Sequence, residues 1–266
     1  MAAEARLEVM GLEKRSLSLP SGRTQVLFEG GRGPALVWLH GLGGIEAGDP
    51  LLEALARDHH VIAPLAPGFS DLEELQGLDT FHDLALHYDD VLQALGLEAV
   101  SLAGPSFGAM TAAELAAHYP RRVSRLVLIS PLGLWKDELP VTDLFAVPYT
   151  ELPQLLFADP SRANSPGVSA GTEDVEALVR LAQGMTTVAK FVWPIPDKGL
   201  RRRLYRITAP TLVLWGADDA VAPAAYADEF ARAIANAEPV VIPRAGHMVA
   251  WDRPAETVDA VRRFLT

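Results

Sequence analysis

Cysteine is absent from this chain of 266 residues. A chain without cysteine forms no disulfide, offers no thiolate to a metal ion and has no cysteine nucleophile. Hydrophobic residues make up 49% of the sequence and charged residues 21%, which is typical of a folded globular protein and not of a disordered one. The length suits one large domain, with room for an inserted subdomain.

Basic residues are also scarce, with 23 Lys and Arg against 34 Asp and Glu, so the formal net charge is −11. The chain lacks the basic surface that binding to nucleic-acid phosphates requires, and we expect no nucleic-acid partner. No apolar run reaches the roughly 20 residues that cross a bilayer, so we expect no membrane span. The first residues, MAAEARLEVMGLEKR, contain no apolar segment typical of a signal peptide, and we expect a cytoplasmic protein.

Short apolar runs recur along the chain without polar alternation. This pattern predicts parallel strands that are buried on both faces of a sheet. The predicted strands are residues 35–39, 60–63, 99–103, 125–129, 211–215 and 239–242. A weaker pattern over residues 13–29 predicts an antiparallel lead-in to the sheet.

Helical patterns lie between the predicted strands. Apolar residues recur at three- and four-residue spacing after Thr80, which together with Asp83 resembles a capping box, and Gly96 suits the end of this helix. Further helices are predicted over residues 107–118, 224–235 and 255–264. Alternating strands and helices predict an α/β fold, with a mostly parallel central sheet flanked by helices.

The alternation stops between residues 134 and 205. Prolines are frequent there, several aromatic residues are present, and only short helical patterns remain. We interpret residues 134–205 as an insertion, either a structural wing or a helical cap over a site. Residues 1–133 and 206–266 would then form the core domain.

A serine between two glycines lies where a predicted strand meets a predicted helix, in the sequence Gly104-Pro105-Ser106-Phe107-Gly108. A turn this sharp needs small residues two positions before and after the serine. Ligands bind at the carboxyl edge of a parallel sheet, so the turn presents Ser106 as a candidate nucleophile. The bent backbone directs the Phe107 N–H toward the same volume, where it is a candidate oxyanion donor.

A serine nucleophile needs a base, and seven histidines compete for that role. His247 follows the last predicted strand in a short loop with a glycine, again at the carboxyl edge, and is the candidate base. His82 and His87 are expected on the solvated, polar side of their helix. None of the seven is spaced for metal binding, so we expect no metal.

The acid that orients the base is expected in the loop after the strand at 211–215. This loop contains Asp218 and Asp219, and the side chains of adjacent residues in an extended chain point in opposite directions. Only one of the two carboxylates can therefore face His247, and their position alone leaves the choice open.

A glycine-containing loop also follows the strand at 35–39, in the sequence VWLHGLGG at residues 37–44. The dinucleotide fingerprint fails, because the last glycine of Gly-x-Gly-x-x-Gly is replaced by Glu46, and no P-loop lysine follows. The remaining interpretation is an oxyanion donor, the Leu42 N–H, in a loop whose glycines, Gly41 among them, let the backbone approach a ligand. His40 is expected to be structural.

Four motifs together resemble the α/β-hydrolase family, in its branch with a serine nucleophile. The family pattern is a His-Gly-x-Gly oxyanion loop, a Gly-x-Ser-x-Gly turn, a Gly-x-x-Asp loop and a Gly-His pair near the end. This sequence has them at residues 40–43, 104–108, 216–219 and 246–247, in the family order of Ser, Asp and His. The Gly-x-x-Asp spacing selects Asp219 as the acid.

The resemblance implies a carboxylesterase-like serine hydrolase that needs no cofactor and acts on a small-molecule substrate. It would cleave esters of small to medium apolar acyl groups with Ser106, His247 and Asp219, and Leu42 and Phe107 would supply the oxyanion hole. The expected substrate contacts are Gly41, Trp135, Val221 and Met248. Monomer and homodimer both stay open.

Alternative functions stay open as well. Serine at position 106 disfavours the dehalogenase and epoxide-hydrolase branches, which use aspartate. The same three residues could serve carbon–carbon hydrolysis of ring-cleavage diketones, although Met248 stands where such relatives often have tryptophan, or perhydrolase or lyase chemistry without a cofactor. Pro105 stands where many relatives have histidine, so contacts to the acyl or leaving group would differ. A third possibility is a small-ligand receptor that does not turn over.

Overall fold

The computed structural model describes residues 11–45, 48–162, 168 and 175–266. Within these ranges, eight strands form one sheet. Their bounds are β1 Leu12–Ser18, β2 Thr24–Gly30, β3 Ala35–Trp38, β4 His60–Pro64, β5 Val100–Pro105, β6 Val123–Ile129, β7 Thr211–Gly216 and β8 Ala237–Ile242. Their order across the sheet is β1-β2-β4-β3-β5-β6-β7-β8.

The sheet is mostly parallel. Only β1 with β2 and β2 with β4 pair antiparallel, while the other neighbours pair parallel. Every residue of β7 is buried, because helices cover both faces of the sheet. The edge strand β1 carries four consecutive exposed residues, which explains the weak sequence signal of the lead-in. The predicted fold class is confirmed.

Helices pack on both faces of the sheet. Their bounds are α1 Pro50–Asp58, α2 Phe81–Ala94, α3 Ser106–His118, α4 Leu152–Leu156, α5 Val175–Val192, α6 Tyr226–Ala233, α7 Val249–Asp252 and α8 Pro254–Leu265. Side chains of α2, α3 and α6 share one apolar core, and side chains of α1, α7 and α8 share the other. The carboxyl ends of the parallel strands therefore meet at one edge between two layers of helices.

Helix α2 begins at the capping box that the sequence predicts, but one of its side chains, His87, is buried where the sequence predicts exposure. Its capping box of Thr80 and Asp83 is present, and Gly96 follows it with a φ of 68°. The expectation that His87 is solvated is wrong, because this side chain is only 6% exposed and its Nε2 lies 2.7 Å from Gln25 Oε1. The antiparallel β2 covers this part of the helix, which a one-sided helical pattern cannot show.

The inserted segment of residues 134–205 is largely helical in its described part, residues 134–162, 168 and 175–205. It contains α4, α5 and several single turns, and in its described part the only β pairing is one bridge between Lys136 and Leu139. The division into core and cap domains stays a prediction.

Candidate active site

Ser106 sits in a strained turn between β5 and α3. Its φ of 53° lies in the left-handed region, which residues other than glycine rarely adopt. A methyl group built at Gly104 would lie 2.2 Å from the Leu39 carbonyl oxygen, and one built at Gly108 would lie 1.8 Å from it. Both glycines are therefore required by the same backbone carbonyl, and the turn cannot form with larger residues at either position.

Ser106, His247 and Asp219 form one hydrogen-bonded chain. The His247 Nε2 lies 2.8 Å from Ser106 Oγ, and His247 Nδ1 lies 2.8 Å from Asp219 Oδ2. His247 and Asp219 are buried, at 2% and 9% exposure. Asp219 contacts the imidazole, while the neighbouring Asp218 is exposed. The arrangement can pass a proton from the hydroxyl to the imidazole.

The second oxygen of Asp219 is held by backbone amides. The N–H groups of Val221 and Ala222 donate to Asp219 Oδ1 over 2.8 and 3.0 Å. These bonds leave Oδ2 for His247, so the carboxylate has a single orientation. The loop that follows β7 thereby fixes the acid without any charged partner.

The loop that carries Asp219, residues 216–219, packs closely against the loop that carries His247, residues 245–247, and glycines make this close approach possible. A methyl group at Gly216 would lie 2.2 Å from the Gly246 carbonyl oxygen, and the Asp218 N–H donates to the Ala245 carbonyl over 2.9 Å. The ends of β7 and β8 therefore approach each other closely enough to bring the carboxylate to the imidazole.

Asp252 supports the histidine loop and is a residue that the sequence analysis missed. Its Oδ2 accepts the N–H of Gly246 over 2.7 Å and the N–H of Ala158 over 2.9 Å. The Met248 N–H donates to the Leu156 carbonyl over 2.8 Å. The inserted segment is thus bonded to the loop that carries the imidazole. No local pattern marks Asp252, since one of its partners lies 94 residues earlier in the chain.

His40 holds the loop that carries Leu42. The Ala66 N–H donates to His40 Nε2 over 2.8 Å, so the ring proton must be on Nδ1, which donates to the Gly41 carbonyl over 2.8 Å. Burial lowers the pKa of His40 to about 4, so the ring is neutral near pH 7. A methyl group at Gly41 would lie 3.3 Å from the Pro105 carbonyl oxygen, which places this loop against the Ser106 turn.

Two cavities adjoin Ser106. Leu42, Ser106 and Leu144 line both of them. The first, of about 50 Å³, also contains Gly41, Trp38, Ile129, Leu156, His247 and Met248. The second, of about 100 Å³, also contains Trp135, Val141, Phe145, Val188, Val192 and Val221. An electrophilic carbonyl at Ser106 could therefore extend one apolar arm into each cavity.

The structure brings together nearly all the site residues that the sequence predicts. Gly41 and Met248 line the first cavity, and Trp135 and Val221 line the second. The side chain of Phe107 points away, into a cluster with the rings of Phe81 and Phe191. Its N–H lies in the first turn of α3, where amides have no acceptor within the helix.

One carboxyl group lines the first cavity. Asp49 caps helix α1, with its Oδ1 accepting the N–H groups of Leu51 and Leu52 over 2.9 and 3.0 Å. Removal from water raises the pKa of this carboxyl to about 6. Among the described residues that line the two cavities there is no Lys or Arg. The electrostatics of the cavities therefore oppose an anionic ligand.

The described ranges contain neither a metal-binding cluster nor a membrane-spanning helix. There, no group of three or more His, Asp or Glu side chains is placed to hold a metal ion. No helix in the same ranges has the length and apolar character to cross a bilayer.

The sequence pattern of the alpha/beta hydrolase family matches residues 36–260, a range that contains strands β4 to β8, nearly all of β3, the Ser106 turn and the His247 loop. The chain belongs to this family. A relative within it is the 2-hydroxy-6-oxo-6-phenylhexa-2,4-dienoate hydrolase of Burkholderia cepacia, 29% identical over 262 residues that cover 90% of this chain and 88% of the relative.

Solved structures of alpha/beta hydrolases share the fold. A membrane phospholipase A superposes with a TM-score of 0.77 at 25% identity and covers 98% of this chain and 88% of its own. Naproxen esterase from Bacillus subtilis also superposes with a TM-score of 0.77, at 18% identity, covering 98% of this chain and 95% of its own.

Proposed function

We propose that this protein is a serine hydrolase that cleaves neutral carboxylic esters with small to medium apolar acyl groups. The observation that carries the proposal is the unbroken hydrogen-bonded chain from Ser106 through His247 to Asp219, at a turn whose serine lines two apolar cavities. Membership in a hydrolase family agrees with it.

His247 activates the nucleophile in the first step. As the Ser106 oxygen attacks the ester carbonyl, its proton passes to His247 Nε2, which already lies within hydrogen-bonding distance. The Asp219 carboxylate accepts the Nδ1–H and stabilises the imidazolium that forms. The imidazolium then gives its proton to the departing alcohol, which leaves an acyl group on Ser106.

The N–H groups of Leu42 and Phe107 would bind the oxyanion. Each such donor contributes about 3 to 4 kcal/mol to stabilisation of the transition state in serine hydrolases. The dipole of α3 adds partial positive charge at the Phe107 amide, since that amide lies in its first turn.

Water completes the cycle. It takes the place of the alcohol, gives a proton to His247 and attacks the acyl carbon. The bond from that carbon to the Ser106 oxygen then breaks, His247 returns the proton to this oxygen, and the carboxylic acid leaves as product. Trp135 and Val221 would contact one arm of the substrate, and Met248 and Gly41 the other, as the sequence analysis expects.

Carbon–carbon hydrolysis is the second candidate, and the relative from Burkholderia cepacia favours it. The substrate in that relative's name is a dienoate, which carries a carboxylate. The first cavity has a carboxyl group at Asp49 and the second has one at Asp143, and the described lining residues of both include no Lys or Arg to receive such an anion. Burying a carboxylate without a partner is costly, so a neutral ester is the better fit.

Covalent labelling tests the proposal directly. Intact-mass analysis after treatment with a fluorophosphonate probe should show one adduct on the wild type and none on Ser106→Ala, and a chain-length series of 4-nitrophenyl esters should then show turnover. A folded wild type without an adduct, or an equal adduct on Ser106→Ala, would contradict the proposal. Ligand-dependent thermal stabilisation without turnover would support a receptor instead.

The dienoate substrate separates the two reactions. Its conjugated chromophore is lost on carbon–carbon cleavage, so absorbance reports that reaction. We expect kcat/KM for a neutral apolar ester to exceed that for the dienoate. The opposite order would make carbon–carbon hydrolysis the main activity.

A further inference from the structure

Helix α5 of the inserted segment rests directly on the loop that carries Leu42. A methyl group built at Gly184 would lie 2.6 Å from the Leu42 carbonyl oxygen and 3.1 Å from the ring of Phe69. Contacts of real methyl groups below 3.0 Å essentially never occur. Backbone therefore meets backbone at this point, with no flexible side chain between helix and loop.

The same face of α5 meets a second loop one turn later. A methyl group built at Gly68, whose φ is 92°, would lie 2.4 Å from the hydroxyl oxygen of Thr187. Residues 184 and 187 are three positions apart and share a helix face. Helix α5 therefore packs against the loops at two points, with Gly184 on Leu42 and Thr187 on Gly68.

The two loops are linked behind the helix. The Phe69 ring lies edge-on against the His40 ring, with centroids 4.5 Å apart and planes at 77°. His40 in turn donates to the Gly41 carbonyl. The contact of α5 with Phe69 therefore continues through His40 to Gly41.

These contacts converge on the peptide groups around Leu42. The Gly41 carbonyl and the Leu42 N–H belong to one planar peptide, so a hydrogen bond that fixes this carbonyl also fixes the direction of the N–H. The Leu42 carbonyl belongs to the next peptide, and Gly184 packs against it. Leu42 is therefore constrained from both sides, by His40 and by α5.

We propose that Gly184 is a positioning residue: its missing side chain lets α5 seat on Leu42 and hold the Leu42 N–H toward the oxyanion, so that the position of the inserted segment controls the activity of the site. This inference rests on the proposed function. It makes the inserted segment part of the oxyanion machinery in addition to a wall of the substrate cavity.

The substitution Gly184→Ala tests this role. Alanine has a higher helix propensity than glycine, so the substitution leaves α5 helical. The added methyl group pushes the helix and the Leu42 carbonyl apart. Loss of one oxyanion donor costs about 100- to 1,000-fold in kcat, and a displaced donor costs less. We expect kcat to fall about 10- to 100-fold, with KM within about threefold of the wild type.

A pair of inhibitors distinguishes positioning from a general structural effect. In a trifluoromethyl ketone, the Ser106 oxygen adds to the carbonyl carbon, the serine proton passes to His247 and the carbonyl oxygen becomes an oxyanion. The secondary alcohol with the same chain fills the cavity and forms no oxyanion. For Gly184→Ala we expect the ketone to bind 10- to 100-fold more weakly, in proportion to kcat/KM, and the alcohol to bind within threefold of the wild type.

Thr186→Ala is the matched control, because residue 186 is exposed on the other side of the same helix. Its kinetics and inhibitor affinities should stay within about twofold of the wild type. Equal ketone affinity in Gly184→Ala and wild type, or equal weakening of ketone and alcohol, would overturn the positioning role while the proposed function stands. A wild type that neither hydrolyses esters nor is labelled would overturn the proposed function and this inference with it.

A second variant decides the matter if Gly184→Ala does not fold. Phe69→Leu removes the ring between α5 and His40 without adding bulk. We expect the same pattern, with selective weakening of the ketone by about five- to tenfold. Unchanged affinity for both inhibitors would overturn the inference.

Discussion

At the scale of single residues, removal from water sets the charge of groups near the site. Burial lowers the pKa of His40 to about 4, and burial together with the charge of Arg23 lowers the pKa of His87 to about 4. Burial raises the pKa of Asp49 to about 6. Two of these groups, His40 and Asp49, line the first cavity together with Leu42, where an added positive or negative charge would change the stability of the proposed oxyanion.

His87 should make stability depend on pH. In the unfolded chain its pKa is near 6.5, and in the folded protein about 4, so the unfolded state binds the extra proton between these values. Stability that is present above pH 6.5 is therefore lost as the pH falls toward 4. Replacing His87 by Gln should reduce the loss in free energy of unfolding between pH 7 and pH 5 by about 1 to 2 kcal/mol, measured by urea unfolding.

His82→Gln is the control for this measurement, since His82 is exposed on the same helix. Comparing the two variants also removes the opposite contribution of Asp49, whose raised pKa favours the folded state at lower pH and is common to both. Equal pH dependence in His87→Gln and wild type would show that His87 is not kept neutral by folding.

Asp49 should discriminate against anionic substrates. Asparagine caps a helix as well as aspartate does, so Asp49→Asn removes the charge and keeps the hydrogen bonds to Leu51 and Leu52. At pH 8 we expect kcat/KM for an ester with a terminal carboxylate to rise about tenfold, the size of one like-charge interaction across a partly buried cavity.

The comparison substrate is the neutral ester of the same length, whose kcat/KM should change less than about threefold. Glu53→Gln removes another acid of α1 that is not among the lining residues of the cavity. If both variants had the same effect, the general field of the helix would be responsible, and not the carboxyl in the cavity.

At the scale of elements, the sequence predicts the features that depend on residue type alone. A turn that forbids any side chain requires glycine, so Gly104 and Gly108 are visible in the sequence, and buried parallel strands are visible as apolar runs. The sequence does not show three other features: the hydrogen bonds of Asp252, the burial of His87 and the packing of Gly184 on Leu42. Each of them depends on a partner that is far away in the chain. The strands and turns were predictable, whereas the packing of the inserted segment was not.

Asp252 ties the inserted segment to the histidine loop. Asp252→Ala leaves the buried amide of Gly246 and the partly buried amide of Ala158 without their carboxylate acceptor, so we expect about 2 to 4 kcal/mol less stability and about tenfold lower kcat. Asp252→Asn keeps an acceptor oxygen and should restore most of both. Unfolding in urea and steady-state kinetics measure the two effects.

The control for Asp252 is Asp259→Ala, an exposed acid on α8 whose loss should change stability by less than about 0.5 kcal/mol. If Asp252→Asn lowered stability and kcat as much as Asp252→Ala does, the negative charge of Asp252 would be required. Its role as a hydrogen-bond acceptor would then not be enough to explain the effect.

At the scale of the whole molecule, the formal net charge of −11 should slow the approach of anions. Salt screens this long-range repulsion. Raising NaCl from 20 to 500 mM should increase kcat/KM for a carboxylate-bearing ester about two- to fivefold and leave a neutral ester unchanged. An equal response of both substrates would point to a salt effect on the protein itself.

Gly104 and Gly108, which flank Ser106, limit which mutations of the gene can be compensated by a second mutation. Both face the carbonyl oxygen of residue 39, and every amino acid at position 39 supplies the same oxygen. The clash of a side chain at 104 or 108 with this oxygen therefore cannot be relieved by a second mutation at position 39. In a library of random double mutants, these two codons should stay glycine in every active clone, whereas clones with Asn at position 49 should keep their activity toward a neutral ester.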